Sequence, residues 1–179
     1  ESVRSRKIDF SLFLWGSDGS EGGDKYRLML DAARFADEND FSAVWTPERH
    51  FNNWGGPYPN PSVTAAAIAS ITKRVGIRAG SCVVPLHHPI RIAEDWSVVD
   101  NISGGRVGIA AASGWQPDDF VIRPEAFENN KTKLFESIED VQKLWRGDTV
   151  TFSGVGDKPV DVQTQPRPQG GQPWGPRQR

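Results

Sequence analysis

Cysteine is almost absent from this chain, and it has neither a long apolar run nor a strong net charge. Cys82 is the only cysteine among 179 residues, which excludes an internal disulfide and favours a reducing compartment. No stretch approaches the roughly 18 apolar residues of a membrane span, and the N-terminus lacks the apolar segment of a secretory signal. A formal net charge of −2 gives no long-range field for nucleic acid or an anionic membrane. We therefore expect a cytoplasmic protein that binds neither nucleic acid nor membranes.

Short apolar runs alternate with amphipathic segments along most of the chain. The apolar runs predict strands, and apolar residues that recur every three or four positions predict helices. The predicted strands cover residues 8–15, 41–46, 75–84 and 106–112, and the predicted helices cover residues 24–38, 60–72, 89–104 and 129–146. Strands and helices that alternate in this order indicate an α/β fold with a parallel sheet and right-handed crossovers.

Residues at the ends of the predicted helices support these boundaries. Asp24 and Asn60 are expected as N-caps, because their side chains can accept hydrogen bonds from the free N–H groups of a first turn. Pro61, directly after Asn60, suits a first helical position. Gly104 and Gly147 are expected to end helices, because glycine adopts positive φ without a steric penalty.

The two ends of the chain differ in composition from its middle. Residues 1–7 are predicted to form an N-terminal tail, and residues 8–162 to form the folded domain, which closes with a β-hairpin at 149–162. Residues 163–179 contain four Pro, three Gly and five Gln and have no periodic apolar face, so we expect them to be disordered. This tail reads like the end of an excised fragment or like out-of-frame translation.

Chemically useful residues follow each of the four predicted strands. In parallel α/β proteins the C-terminal ends of the strands form the face that binds and reacts with ligands. The four strand ends carry Phe13-Leu14-Trp15, Glu48-Arg49-His50, Gly80-Ser81-Cys82 and Ala112-Ser113-Gly114-Trp115. An imidazole beside a carboxylate suits proton transfer near neutral pH, so the second set is the candidate catalytic group.

Simpler interpretations of the same residues remain open. Glu48 and Arg49 can form a surface ion pair, which contributes little to stability. The pair His87-His88 stands before a proline, where a loop end or helix cap is more common than a metal ligand, and we predict no metal site. Cys82 lies inside an apolar run and is expected to be a small buried residue.

Several longer segments resemble a known family. WTPERHF at 45–51, VGIRAGSCVVPLHHPIRIAEDWSVVDNISGGRVGIAAASGW at 75–115 and LWRG at 144–147 are similar to the N-terminal half of the bacterial luciferase-like flavin monooxygenases. The resemblance is strongest to the luciferase-like domains of natural-product synthase clusters, and it covers about residues 7–165. It implies a (β/α)8 TIM barrel, of which this chain supplies four βα units and the hairpin.

The resemblance also implies a cofactor and a reaction. Family members bind reduced FMN and use O₂ to oxygenate an organic substrate. By position, Gly80 and Ser81 correspond to a non-prolyl cis peptide bond under the flavin ring. The segment Ala112-Ser113-Gly114-Trp115 corresponds to the strand end that lines the flavin.

The catalytic segment departs from the luciferase pattern. Glu48 and His50 correspond to acidic and imidazole positions of the family, and both are candidate catalytic residues. Arg49 stands where luciferases have the first of two consecutive histidines, which is implicated in catalysis. Arg49 is therefore also a candidate site residue, facing a phosphate, a carboxylate substrate or Glu48.

The expected function is that of an FMN-dependent monooxygenase, incomplete as this chain. Its expected partners are a flavin reductase or another NAD(P)H-dependent supply of reduced flavin, a small-molecule or carrier-bound substrate, and a second copy in a homodimer. Two alternatives stay open. One is a non-catalytic half-barrel that binds flavin or dimerises, and the other is a relative that uses F420 in hydride transfer.

Overall fold

The computed structural model of the protein describes residues 8–16 and 24–164. The four strands and four helices of its main unit alternate along the chain. They are β1 (Ser11–Phe13), α1 (Arg27–Glu38), β2 (Ala43–Thr46), α2 (Pro61–Ile71), β3 (Gly76–Val83), α3 (Pro89–Ser103), β4 (Val107–Ala112) and α4 (Asn130–Arg146). A hairpin of β5 (Val150–Ser153) and β6 (Pro159–Val162) follows. The predicted tail at 1–7, and all but two residues of the predicted tail at 163–179, lie outside the described residues.

The four strands form one parallel sheet in the order β1-β2-β3-β4. The predicted βα repeats, the parallel pairing and the antiparallel hairpin are therefore confirmed. β1 is shorter than the predicted strand at 8–15. Of the residues predicted at 8–15, only Ser11 to Phe13 pair with β2, which is itself four residues long.

The hydrophobic core lies between the sheet and its helices. Strand residues that point toward the helices, such as Val44 and Ile77, are fully buried against Ile68 of α2 and Trp96 of α3. Among the described residues, no helix is long and apolar enough to cross a bilayer.

The opposite, inner face of the sheet is built differently. Phe13 and Trp45 lie over Gly80, so closely that a Cβ at this glycine would sit 2.7 Å and 3.0 Å from their rings. Small residues on β3 and β4 therefore leave room on this face for aromatic rings from β1 and β2.

Three of the four predicted helix ends are confirmed. The Asn60 side chain accepts hydrogen bonds from the N–H groups of Ser62 and Val63, at 2.9 Å and 3.3 Å. Gly104 and Gly147 end α3 and α4 in the left-handed conformation, with φ of 71° and 82°.

The prediction that Asp24 caps α1 is wrong. The helix begins at Arg27, and its N-cap position, Tyr26, makes no side-chain capping bond. Asp24 lies two residues before that position, and its backbone carbonyl accepts from the Arg27 N–H at 3.2 Å. It belongs to the turn that leads into the helix.

Two charged side chains hold the loops at the N-terminal ends of the strands. Arg106, just before β4, donates to the backbone carbonyls of Thr72 and Val75, both at 2.8 Å. It thereby satisfies the carbonyl at the C-cap of α2, Thr72, and the one just before β3, Val75. The Asp37 carboxylate at the end of α1 accepts three backbone N–H bonds at 2.7–2.9 Å, from Lys73, Arg74 and Val75.

We predict that Asp37→Asn destabilises the fold. The substitution removes a charged acceptor shared by three backbone donors, so the free energy of unfolding should fall by about 1–3 kcal/mol. Urea unfolding of the purified chain measures this change. Asp31→Asn is the matched control, because Asp31 lies on the same helix and contacts only Arg34 at the surface among the described residues. If Asp31→Asn lowered the free energy of unfolding as much as Asp37→Asn does, the prediction would be contradicted.

The contribution of Asp37 should also depend on pH. Burial acts to raise the pKa of this carboxyl, but the hydrogen bonds from Val75, Lys73 and Arg74 outweigh it and hold the pKa below its usual value. A lowered folded-state pKa stabilises the fold above the unfolded value, about 4, and this stabilisation is lost as the pH falls further. The gap between wild type and Asp37→Asn should therefore shrink in acid. A gap that stays constant from neutral to acidic pH would argue against this role.

Candidate active site at the C-terminal ends of the strands

Three consecutive ionisable residues lie buried just after β2. Glu48, Arg49 and His50 keep only 3%, 7% and 8% of their surface exposed. The Arg49 N–H donates to the carbonyl of Tyr58 at 2.9 Å, and the Val83 N–H at the end of β3 donates to Glu48 Oε2 at 2.5 Å. Hydrogen bonds to the neighbouring loop and to β3 therefore hold this segment in the protein interior.

Glu48 is the centre of a hydrogen-bonded network. Its Oε1 lies 3.0 Å from His50 Nε2 and 2.5 Å from His87 Nε2. Burial acts to raise the pKa of Glu48, but the bonds to His50, His87 and Val83 outweigh it and hold the pKa below its usual value. An ionised carboxylate only accepts hydrogen bonds, so both imidazoles present a protonated Nε2 to it. In this tautomer Nδ1 of His50 is the ring nitrogen that can accept a proton.

Arg49 does not pair with Glu48, and the interpretation of the two residues as a surface ion pair is wrong. Glu48 turns to the two histidines and the β3 backbone, whereas the Arg49 guanidinium lies against indole rings. Its Cζ is 4.2 Å from the centre of the Trp54 ring and 5.4 Å from that of Trp115. The stem of Arg49 packs on Gly55, where a Cβ would sit 2.6 Å from Arg49 Cγ. Cation–π contact and a glycine that permits close approach explain how this side chain is buried.

The end of β3 has the backbone geometry that the resemblance implied. The peptide bond between Gly80 and Ser81 is cis. The register with β4 shifts at this point, so that Gly80 pairs with Ala110 and Cys82 with Ala111. Ser81 is left between the paired residues and stays half-exposed. The cis peptide bond is confirmed, and its role under a flavin stays a prediction.

The residues after β4 form an open surface of small side chains. Ala112, Ser113 and Gly114 are half-buried, and Trp115 is 65% exposed. Gly114 has φ of 81°, and its carbonyl accepts from Asn130 Nδ2 at 3.0 Å, which ties the segment to α4. These four residues and the two at the end of β3 therefore occupy neighbouring strand ends, as predicted.

Three residues that belong to this region were not predicted from the sequence. His87 completes the Glu48 network, although its position in a His-His-Pro run indicated only a loop end or helix cap. The cap is its neighbour His88, whose Nδ1 accepts from the Ile90 N–H at 3.2 Å. Trp54 lies in the irregular segment after β2, and Asp119 lies in a short 3-10 helix, Pro117–Ile122, after β4. Neither segment has a periodic pattern that would single the residue out.

Glu48, His87 and Cys82 form a group with the side-chain types that bind metals, their ligand atoms within 4.8 Å of one another. Burial raises the pKa of the Cys82 thiol strongly, and the nearby Glu48 raises it further. Metal binding needs the thiolate, which these surroundings disfavour. The group is therefore better described as a hydrogen-bonded network, and the predicted lack of a metal stays a prediction.

Comparison with known proteins places this geometry in a family. A model of the family described as luciferase-like monooxygenase matches residues 9–175. The oxygenase component of a flavin-dependent trigonelline monooxygenase from Acinetobacter baylyi is 33% identical over 145 residues. That alignment covers 78% of this chain and 40% of the relative, so the chain spans well under half of that protein.

Solved structures show the same fold. A monooxygenase from Streptomyces bottropensis superposes with a TM-score of 0.78 at 29% identity, over 95% of this chain and 52% of the other. The oxygenating constituent of 3,6-diketocamphane monooxygenase from Pseudomonas putida, solved in complex with FMN, gives a TM-score of 0.77 at 18% identity. It is matched over 94% of this chain and 49% of its own length.

The sequence comparison and the fold agree. The four βα units and the hairpin form a partial (β/α)8 barrel, as the resemblance implied. The match to the family model extends over most of the chain. The chain therefore belongs to the luciferase-like monooxygenase family.

Proposed function

We propose that this chain carries the flavin side of an FMN-dependent monooxygenase that oxygenates an organic substrate with O₂. The observation that supports the proposal best is the juxtaposition of two features at one end of the sheet. One is the open surface of small residues around the cis peptide bond, and the other is the buried carboxylate–imidazole network beside it. The relatives named as flavin-dependent or FMN-bound oxygenases support the cofactor.

The strand ends fit a planar ring system. Ser81 and the segment 112–114 present little side-chain bulk, and Gly80 lies beside them under the edges of Phe13 and Trp45. Trp115 offers an exposed aromatic face at the border of that surface. We assign the flavin ring to these residues. When bound, reduced FMN supplies the electrons with which O₂ is activated. The protein contributes the surface of small residues that positions the ring.

The network around Glu48 is assigned to proton transfer. His50 presents Nε2–H to Glu48, so its Nδ1 can take up a proton from a reacting group. The charged imidazole that results is stabilised by the carboxylate 3.0 Å away. Glu48 thereby orients His50 and supports its charge, and His87 holds Glu48 from the other side.

The proposed partners follow from the proposed reaction. A flavin reductase or another NAD(P)H-dependent source supplies the reduced FMN, and the name of one relative as an oxygenase component supports a separate reductase. The substrate is an organic small molecule, free or held on a carrier domain, as in natural-product biosynthesis. The predicted homodimer and cytoplasmic location stay predictions, and sedimentation of the purified chain tests the first.

The position of the flavin can be tested with two neighbouring alanines on β4. Ala110 pairs with Gly80 and faces the inner side of the sheet. Ala111 faces the helices, where it lines a cavity with Ile109 of β4 and Trp145 of α4. We predict that Ala110→Leu weakens FMN binding roughly tenfold or more, which corresponds to at least about 1.4 kcal/mol. Ala111→Leu should leave binding within about threefold of wild type. Quenching of flavin fluorescence during titration, with oxidised FMN and then anaerobically with reduced FMN, measures both.

Three results would decide against parts of the proposal. Equal effects of the two leucine variants would remove the inner face as the flavin site. Tighter binding of F420 than of FMN would favour hydride transfer. Saturable FMN binding with no O₂ consumption by the reduced complex would leave a flavin-binding module without oxygenase activity.

We also predict the protonation pattern of the network. Two-bond ¹H–¹⁵N correlation spectra of the imidazoles should show His50 and His87 as Nε2–H tautomers near neutral pH. Glu48→Gln removes the charge and keeps the shape, so His50 should lose this fixed tautomer while FMN affinity changes little. Oxygenation should then slow by about 100-fold or more, the usual contribution of a positioned acid–base group. His88→Gln is the control, since His88 caps α3 outside the network. Wild-type spectra with Nδ1–H tautomers would refute the assignment.

A further inference from the structure

Arg49 has one edge of its guanidinium buried without a partner. Among the residues that the structure describes, Nε and Nη2 are inaccessible to solvent and make no hydrogen bond. These two nitrogens are neighbours on the same edge, so their N–H bonds point in nearly the same direction. A buried guanidinium usually has its donors satisfied, because each unsatisfied charged donor is costly. The free edge is therefore a candidate site for a hydrogen-bond acceptor that the described residues do not supply.

A second buried group nearby is also incomplete. Asp119 is 4% exposed, and its Oδ1 has no hydrogen-bond partner within the described ranges. Burial raises the pKa of this carboxyl, while the charges of Arg49 and His50 act to lower it. Arg49 and Asp119 thus interact electrostatically, but no hydrogen bond joins the Arg49 Nε or Nη2 to the Asp119 Oδ1. Two buried groups of opposite charge, each with polar atoms that lack a partner, thus lie close enough to act on each other electrostatically.

An exposed apolar surface lies beside Arg49. Four exposed aromatic side chains follow one another, with ring centres 5.8 Å apart for Phe13 and Trp15, 5.4 Å for Trp15 and Trp54, and 6.0 Å for Trp54 and Trp115. The guanidinium contacts the last two rings of this row. A ligand bound at the free edge of Arg49 would therefore have these indole rings as neighbours.

We propose that the Nε and Nη2 edge of Arg49 binds the carboxylate of an organic acid whose apolar body lies on Trp54 and Trp115. The inference rests on the proposed function, because it defines the substrate class of the same site. Two parallel N–H bonds from one guanidinium edge match the two oxygens of a carboxylate in spacing and in plane. The aromatic row contacts the hydrocarbon part of the ligand, which can be uncharged.

The surroundings favour a carboxylate over a phosphate. The charge of Arg49 acts on Asp119, and so does the nearby carboxylate of Glu48, so a phosphate dianion would meet two like charges for one guanidinium. A carboxylate carries a single charge and needs only the one free edge. The phosphate group of FMN, which is attached to a flexible chain, is the competing occupant that an experiment must distinguish.

The test uses benzoate as the probe and benzyl alcohol as its uncharged analogue. We expect benzoate to bind and to shift the Nε–H resonance of Arg49 in ¹H–¹⁵N spectra of the wild-type chain, with no such shift from benzyl alcohol. Arg49→Met should weaken benzoate binding about 10- to 100-fold in calorimetric titrations, the range for lost charge-assisted hydrogen bonds. Arg49→Lys keeps the positive charge but lacks the two parallel N–H donors. Its affinity for benzoate should therefore be about tenfold lower than that of wild type. The matched control is Arg34→Met, an exposed arginine that pairs with Asp31 at 3.1 Å. It should bind benzoate as wild type does.

Two outcomes would overturn the inference. If inorganic phosphate or FMN shifts the Arg49 Nε–H resonance and benzoate does not, Arg49 serves the cofactor. In that case the preference for FMN over riboflavin should also disappear in Arg49→Met. If no anion shifts the resonance, Arg49 is a packing residue. The spectra of wild type keep the inference testable even if Arg49→Met fails to fold.

Failure of the inference is separable from failure of the proposed function. Benzoate titrations need no flavin, and the FMN titrations of the two leucine variants need no carboxylate. Normal FMN binding and O₂ consumption without benzoate binding would reject only the substrate class. Benzoate binding in a chain that never binds FMN would reject the flavin assignment and leave the carboxylate site.

Discussion

The buried carboxylate of Glu48 determines how the C-terminal ends of β2 and β3 are arranged. A charge this deep in the protein is tolerated only when its oxygens are hydrogen-bonded, and here the donors come from three separate places. They are the backbone of Val83, the neighbouring His50 and the more distant His87. Satisfying one carboxylate therefore fixes the strand end, the loop after β2 and the loop before α3 at the same time.

The two ends of the sheet use polar groups for opposite purposes. At the N-terminal end, Asp37 and Arg106 are occupied with backbone groups that would otherwise lack partners. At the C-terminal end, the Arg49 edge and one oxygen of Asp119 remain without partners in the described part of the chain. The completed hydrogen bonds of Asp37 and Arg106 account for a structural role, whereas the buried groups without partners at the other end are those for which we propose a ligand.

Periodicity predicted the helices, the parallel sheet and the hairpin well, because each depends on a local pattern of apolar residues. The caps at Asn60, Gly104 and Gly147 followed from short-range backbone chemistry. The resemblance located the cis bond at Gly80-Ser81. What could not be predicted were contacts across the sheet. His87 meets Glu48 from 39 positions away, and Trp54 meets Arg49 from an irregular loop. No local pattern reports on such distances, and even the adjacent pair Glu48-Arg49 was misread because burial decides their partners.

The short first strand has a consequence for how the site opens. β1 is joined to its neighbour by only three residue pairs, whereas β3 and β4 share six. In native-state hydrogen exchange, the β1 amides should therefore belong to the least protected cooperative unit of the sheet. Phe13 and Trp15, the first two rings of the aromatic row, move with that unit. These two rings can thus move away in a local opening, while the Glu48 network and the ends of β3 and β4 stay folded. Such an opening provides a route for a bulky ligand to enter.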